Sequence, residues 1–173
     1  MDYITEFIKI LVPAALVLYA MYLVVRSFLN KQFDDQMLQL KAKNTEVILP
    51  IRLQAYERVA LLLERVSPNN MLIRLSEPSM SAFDFQQLLL KEIQEEKNHN
   101  LSQQVYMSDD AWNATNKAIN AIITVIQTAS AQMDQTKNAI DLAEAIFGEM
   151  MKFENDPTAE ALSVVKNELR LFL

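Results

Sequence analysis

The stretch that decides the architecture is residues 10–25, Ile-Leu-Val-Pro-Ala-Ala-Leu-Val-Leu-Tyr-Ala-Met-Tyr-Leu-Val-Val, sixteen residues without a charge, an Asn or a Gln. If the preceding residues join the same helix, the stretch 3–25 holds 23 residues. At ~1.5 Å per residue that is roughly 35 Å, enough to cross a hydrocarbon core of ~30 Å with some tilt. A core helix in a domain this small normally keeps a polar stripe, and residues 10–25 have none. A cleaved signal peptide calls for a basic start and a small-residue cleavage site. This start carries Asp2 and Glu6, and no small-x-small pair closes the run. The reading is an uncleaved membrane anchor over residues 1–26. Pro13 lies near the start of the run, where a slight kink is tolerated, and Tyr3 and Tyr22 sit near its ends as interfacial aromatics do. Ala14, Ala15 and Ala20 form no small-xxx-small pair, so the span gives little sign of tight helix dimerisation.

Lys9 is the only basic residue before the span, whereas Arg26, Lys31, Lys41 and Lys43 follow it. The positive-inside rule then places the amino terminus outside and the bulk of the chain in the cytoplasm. The absence of Cys agrees with a reducing compartment.

Working outward, Val25, Leu29, Phe33, Met37, Leu40 and Val47 keep a helical beat, with Asn44 in the missing turn, so residues 27–49 read as a helical stalk. Pro50 is expected to kink that helix or to start a new one. From there residues 50–173 read as a helical bundle. Ile51, Ala55, Val59, Leu62 and Val66 mark one face, with Glu57, Arg58, Glu64 and Arg65 turned outward, and Ser67, Pro68, Asn69 and Asn70 are expected to stop it. Residues 71–75 fit either a helical turn or an extended piece. Ser81 and Ser108 look like amino caps with Asp84, Asp109 and Asp110 in the first turns, and Asp156 with Pro157 marks a further helix start. Its face is Leu162, Val165, Leu169 and Phe172.

Trp112, Ile119, Ile126, Met133, Ile140 and Phe147 recur every seven residues, with Thr115, Ile122, Ala129, Thr136, Ala143 and Met150 in the alternate row. This is one long coiled-coil helix or two antiparallel helices turning near residues 130–136, the latter favoured because Ala129 and two Thr weaken the seam. Gly148 falls beside the seam, where it either permits close packing or is a tolerated cost of ~1 kcal/mol relative to Ala. No strand alternation is sustained and no repeat of domain type appears. The fold class is all-α: a single amino-terminal transmembrane helix continuing into a stalk, then a cytosolic bundle.

Composition narrows the chemistry. The chain has 173 residues with one His, one Gly and no Cys, and a net charge of −6. That demotes nucleic-acid binding, thiolate or histidine metal sites and glycine-rich phosphate loops. Residues 26–100 hold ten basic and ten acidic side chains, whereas residues 101–173 hold five basic and ten acidic. The acidic distal part is repelled by an anionic leaflet against which the stalk lysines can lie. Asp109 and Asp110 are explained by capping, and Glu92, Glu95 and Glu96 by a solvated face. His99, in an expected loop, has no Ser, Cys or Asp at motif spacing.

Residues 98–107, Asn-His-Asn-Leu-Ser-Gln-Gln-Val-Tyr-Met, are uncharged if His99 is neutral, between strongly charged flanks. Such amides either satisfy helix ends or pair with a partner's backbone without desolvating a charge. Asn98, His99, Asn100, Ser102, Gln103, Gln104 and Tyr106 are therefore the candidate partner contacts.

Through Leu-Gln-Ala-Tyr-Glu-Arg at residues 53–58 and Asn-His-Asn-Leu-Ser-Gln-Gln at residues 98–104, the chain resembles an uncharacterised family of small bacterial proteins with one amino-terminal span and a cytosolic helical domain. The resemblance covers most of the chain and implies a topology; it transfers no active site. The expected function is a non-catalytic, membrane-anchored adaptor or accessory subunit of an inner-membrane complex, without cofactor. Its expected partners are the lipid bilayer and other membrane or membrane-associated proteins, with self-association as a further possibility and no nucleic acid. The alternatives are a scaffold self-assembling through stalk and heptad seam and, less favoured, an enzyme using a carboxylate or His99.

Overall fold

A computed structural model describes residues 2–134 and 136–172. The side chains of Asp2, Tyr3, Glu6, Lys9, Ile10, Lys41 and Asn44, which the anchor, orientation and stalk readings invoke, lie outside the described residues. The described chain is all-α. Among the described residues six α-helices and one 3-10 helix occur, and no strand: α1 (Asp2–Val66), α2 (Pro68–Leu75), α3 (Ala82–Asn100), the 3-10 helix Leu101–Tyr106, α4 (Asp109–Ala131), α5 (Ala139–Met150) and α6 (Pro157–Arg170).

The chain divides into two compact units, Met1–Ile48 and Leu49–Leu173. In the first, the most apolar window of the helical segment Leu11–Leu40 has a mean hydropathy of 1.8, and none of that window is buried. It is long and apolar enough to cross a membrane. Every described side chain between residues 11 and 48 is exposed, including Phe33 and Leu40 of the stalk row.

In the second unit, α1 contributes Ala55, Tyr56, Val59, Leu62, Leu63 and Val66 to the interior, while Glu57, Arg58, Glu64 and Arg65 face water as expected. Of the two outcomes expected at Pro50, a kink or a new helix, the new start does not occur, since helix α1 continues through it. A mid-helix proline removes one N–H and crowds the carbonyl one turn back. Here residues 46–48 and Pro50 itself are exposed, so water can serve the carbonyl left without a donor. The stop at residues 67–70 contracts to one residue. Ser67 takes an extended conformation and Pro68 opens α2 at a position where its missing donor is harmless. Residues 71–75 are accordingly helical, with Met71 and Leu72 buried.

Helices α3, α4 and α6 begin where caps were expected, and α5 begins at Asn138, which was not among them. The Ser81 hydroxyl accepts from the Asp84 N–H at 3.1 Å, the Ser108 hydroxyl from the Ala111 N–H at 3.2 Å, and the Asp156 carboxylate from the Thr158 N–H at 2.8 Å. Asn138 forms a full capping box: its side chain accepts from the Asp141 N–H at 3.1 Å, and its own N–H donates to the Asp141 carboxylate at 3.0 Å. Two of these starts are joined, because Ala82 N–H donates to the Lys137 carbonyl and Ala139 N–H to the Met80 carbonyl, both at 3.0 Å.

The long heptad pattern is two helices, α4 and α5, with the turn at residues 132–138. The seam does not pass through that turn in phase. In α4, Ile119, Ile122, Ile126 and Ala129 are buried, but in α5 the buried row is Ala139, Leu142 and Ile146, and Ile140 is 44% exposed. Reversing direction frees α5 from the phase of α4, so each helix turns its own apolar row inward. Two clusters fill the interior. One joins the end of α1 to α2, α3, α5 and the distal half of α4; the other joins Tyr56, Val59 and Leu63 to Met107, Ala111, Ala118, Ala161 and Val165. Helix α4 belongs to both. Of the row expected on α6, Val165 is buried, Leu162 and Leu169 are half-buried and Phe172 is exposed.

Gly148 lies on the exposed side of α5, and a methyl group there would meet nothing within 4 Å. The close-packing role is therefore excluded, and the glycine is a tolerated cost. Gly148→Ala is expected to raise the stability of the bundle by about 0.5–1 kcal/mol, read from denaturant unfolding followed by circular dichroism. A loss of stability would mean that α5 has a neighbour there.

Candidate functional site

The uncharged segment was expected to be a loop, and the structure corrects this. Asn98, His99 and Asn100 form the last turn of α3, which runs on past its charged stretch, and residues 101–106 make a 3-10 helix. The reason is local. The Asn100 amide donates to the Glu96 carbonyl at 2.9 Å, and His99 Nδ1 donates to the Glu95 carbonyl at 3.0 Å, so both side chains bond back to carbonyls one turn earlier in the same helix. Asn98 accepts from the Gln94 amide at 2.9 Å. Asn100 is buried, as is Met107 at the far end of the segment.

The second half faces outward. Ser102 accepts from the Gln103 amide at 3.2 Å, and Ser102 and Gln104 are exposed while Gln103 is half-buried. Between them stand three apolar groups: Leu101, Val105 and Tyr106, of which Val105 is 77% exposed. Of residues 98–100 only Asn100 is buried; Asn98 and His99 are exposed but hydrogen-bonded within α3, and residues 101–106 form the outward-facing 3-10 helix.

A groove of about 520 Å³ runs between α1 and α3. Arg58, Leu61 and Arg65 line one wall; Glu92, Glu95, Glu96, His99 and Asn100 line the other. The fold therefore brings Arg58, from the 53–58 stretch, to the same groove as His99 and Asn100. Its carboxylates are engaged: Glu96 with Arg65 at 2.8 Å, Glu92 with Arg74 at 3.1 Å and Glu95 with Lys91 at 3.7 Å. These exposed pairs are worth at most about 1 kcal/mol each. Asp109 and Asp110 occupy the first turn of α4 and stay exposed.

The tightest polar cluster lies elsewhere and was not anticipated. The Tyr56 hydroxyl donates to one oxygen of Glu168, which also accepts the Ser108 N–H at 2.9 Å. The other Glu168 oxygen accepts the Ser108 hydroxyl at 2.5 Å. Arg52 donates to the Tyr56 oxygen at 3.3 Å and to the Tyr106 carbonyl at 3.0 Å, and its guanidinium lies 3.7 Å from the centre of the Phe172 ring. One carboxylate on α6 thus gathers α1 and the start of α4. Burial, with the Glu168 bond adding to it and Arg52 opposing, pushes the Tyr56 hydroxyl up to about 12. For Glu168 burial is again the largest influence and acts upward. The Ser108 hydroxyl, Tyr56, the Ser108 N–H and the Arg52 charge together outweigh it, and the carboxyl titrates below its usual range. The available signal was Tyr56 itself: it stands three and seven residues before Val59 and Leu63 on a buried row, where a tyrosine hydroxyl must find a partner.

These features define a class of protein: an all-α chain whose first helix is long and apolar enough to cross a membrane, followed by a helical bundle. The chain belongs to the DUF7935 family, a family of unknown function, whose sequence model matches residues 2–172. No curated protein and no solved structure matches it.

A group whose folded pKa is depressed stabilises the fold above its unfolded pKa and loses that contribution as pH falls through the folded value. Glu168 is such a group, so the bundle is expected to lose stability on acidification below about pH 4.3. Glu168→Gln should lower stability at pH 7 by about 1–3 kcal/mol, as for hydrogen bonds to a charged group, and flatten the acid limb of the unfolding midpoint against pH. An unchanged acid limb would show that other carboxylates carry it.

Proposed function

We propose that this protein is a non-catalytic, membrane-anchored adaptor or accessory subunit of a bacterial inner-membrane complex, with its amino terminus outside and its bundle in the cytoplasm. The observation that carries this is the exposed, uncharged run of residues 11–25 within the helical segment Leu11–Leu40, whose most apolar window has a mean hydropathy of 1.8. Water is a poor environment for it on every side, and a bilayer is a good one. One basic residue before the span against Arg26, Lys31, Lys41 and Lys43 after it supports the orientation. The bundle unit carries 11 basic and 17 acidic side chains, hence the whole −6 of the chain, which favours holding it off an anionic leaflet.

The non-catalytic reading is supported by what the candidate acids and base do instead. Glu92, Glu95 and Glu96 are in ion pairs, Asp109 and Asp110 sit at a helix start, and His99 bonds back to a carbonyl of its own helix. The partner contact is best placed on Ser102, Gln103, Gln104 and Tyr106, together with their exposed apolar neighbours Leu101 and Val105. Uncharged amides flanking exposed apolar groups suit a protein surface, since burying them desolvates no charge. Self-assembly is the second reading, and the stalk row favours it. The heptad seam does not, because Ile119, Ile122 and Ile126 are buried inside the bundle.

Mild-detergent purification of the full chain from its native membrane tests the adaptor reading. A companion protein should be retained with the native chain and lost, by at least tenfold, with a Val105→Glu and Gln104→Lys double variant whose unfolding midpoint is unchanged. Recovery of the chain alone, or equal retention by the variant, would contradict it.

A further inference from the structure

Between residues 27 and 48, α1 carries an apolar stripe that lipid does not cover. Leu29, Phe33, Met37, Leu40 and Ile48 follow an 11-residue spacing, in which Leu29 and Leu40 are equivalent positions, as are Met37 and Ile48, while Asn44 takes the place equivalent to Phe33. At 3.67 residues per turn such a repeat keeps to one face of a nearly straight helix. All five side chains are between 46% and 65% exposed. The same stretch holds Lys31, Asp34, Asp35, Lys41, Lys43 and Glu46, a density of charge that hydrocarbon does not accept. The stripe therefore faces water, where an apolar row of this length, interrupted only at Asn44, marks an association surface.

Two features select a second copy of this chain as the occupant. Residues 27–48 carry three basic and three acidic side chains, so the stripe-bearing stretch is neutral and does not repel its own image. Chains inserted in one bilayer in one orientation are already parallel and at equal depth, which raises their effective concentration for pairing in register. We propose that two copies pair along this stripe as a parallel, in-register coiled coil with an 11-residue repeat, each stripe residue meeting its own counterpart. The parallel sense rests on the anchored reading above. The repeat gives the pair a right-handed supercoil, unlike a heptad coil.

The chain has no cysteine of its own, so single cysteines report the pairing directly. Phe33→Cys and Ile48→Cys place thiols on the stripe; Gln39→Cys, about 100° round the helix from Leu40, places one off it. A disulfide needs Cα atoms within about 7 Å. Positions 33 and 48 are roughly 22 Å apart along the helix, so an antiparallel pair cannot bridge both. Mild oxidation of the full chain in freshly opened cells should give at least tenfold more disulfide dimer at 33 and 48 than at 39. Adding Met37→Glu with Leu40→Glu should remove that excess. Equal yields at all three positions, bridging at only one stripe position, bridging to a different protein, or no dimer would each overturn the pairing. Sedimentation of the same samples separates the two readings. A membrane-bound chain without stripe disulfides overturns the pairing and leaves the anchor; a chain in the supernatant overturns the anchor, while its disulfide pattern still decides the pairing.

Discussion

A helix that is apolar on every side cannot be left in water, and the account of this protein depends on that constraint. Leu16, Val17, Leu18 and Met21 are each 64–68% exposed within the first unit. Full burial of such side chains is worth about 1.5–3 kcal/mol each. Four of them together rival the whole stability of an ordinary domain, about 5–15 kcal/mol. A partner helix relieves one face of such a segment, whereas hydrocarbon relieves all of them at once. The change at Lys31, Asp34 and Asp35 is the other half of the same constraint, because beyond it the apolar residues narrow to a stripe and the requirement becomes one-sided.

The bundle solves a different problem. Helix α4 contributes to both apolar clusters, with Ile119, Ile122 and Ile126 in one and the small Ala111 and Ala118 in the other. Its amino end is fixed by Ser108, whose hydroxyl caps the helix and also reaches Glu168. A carboxylate at a helix start favours the positive end of the dipole. Glu168 on α6 thereby links the helix start to Tyr56 on α1, so three elements that are distant in sequence are held at one point. The polar groups of this cluster position helices.

The helical class, the apolar first segment and most helix starts were legible in the sequence because each depends on residues close together in the chain. Ser81 with Asp84, Ser108 with Asp109, and Asp156 with Pro157 are local signals, and each opens a helix. The sequence was less legible where local rules compete. Pro50 sits in an exposed turn that water can serve, so its helix continues; Asn98, His99 and Asn100 look like loop residues until their side chains are seen bonding back within the same helix. The phase change between Ile126 and Ile140 depends on a reversal of chain direction that periodicity does not encode. The Glu168 cluster was out of reach, since its partners lie 60 and 112 residues away.

The central claim is that hydrocarbon covers residues 11–25 of the first helix, and nitroxide labels on single cysteines along residues 11–34 of the full chain in lipid bilayers measure this most directly. The account predicts high accessibility to oxygen and low accessibility to a water-soluble nickel complex through residues 11–25, reversing by Asp34. Nickel accessibility that stays high throughout would contradict it, as would shielding from both reagents along the whole stretch.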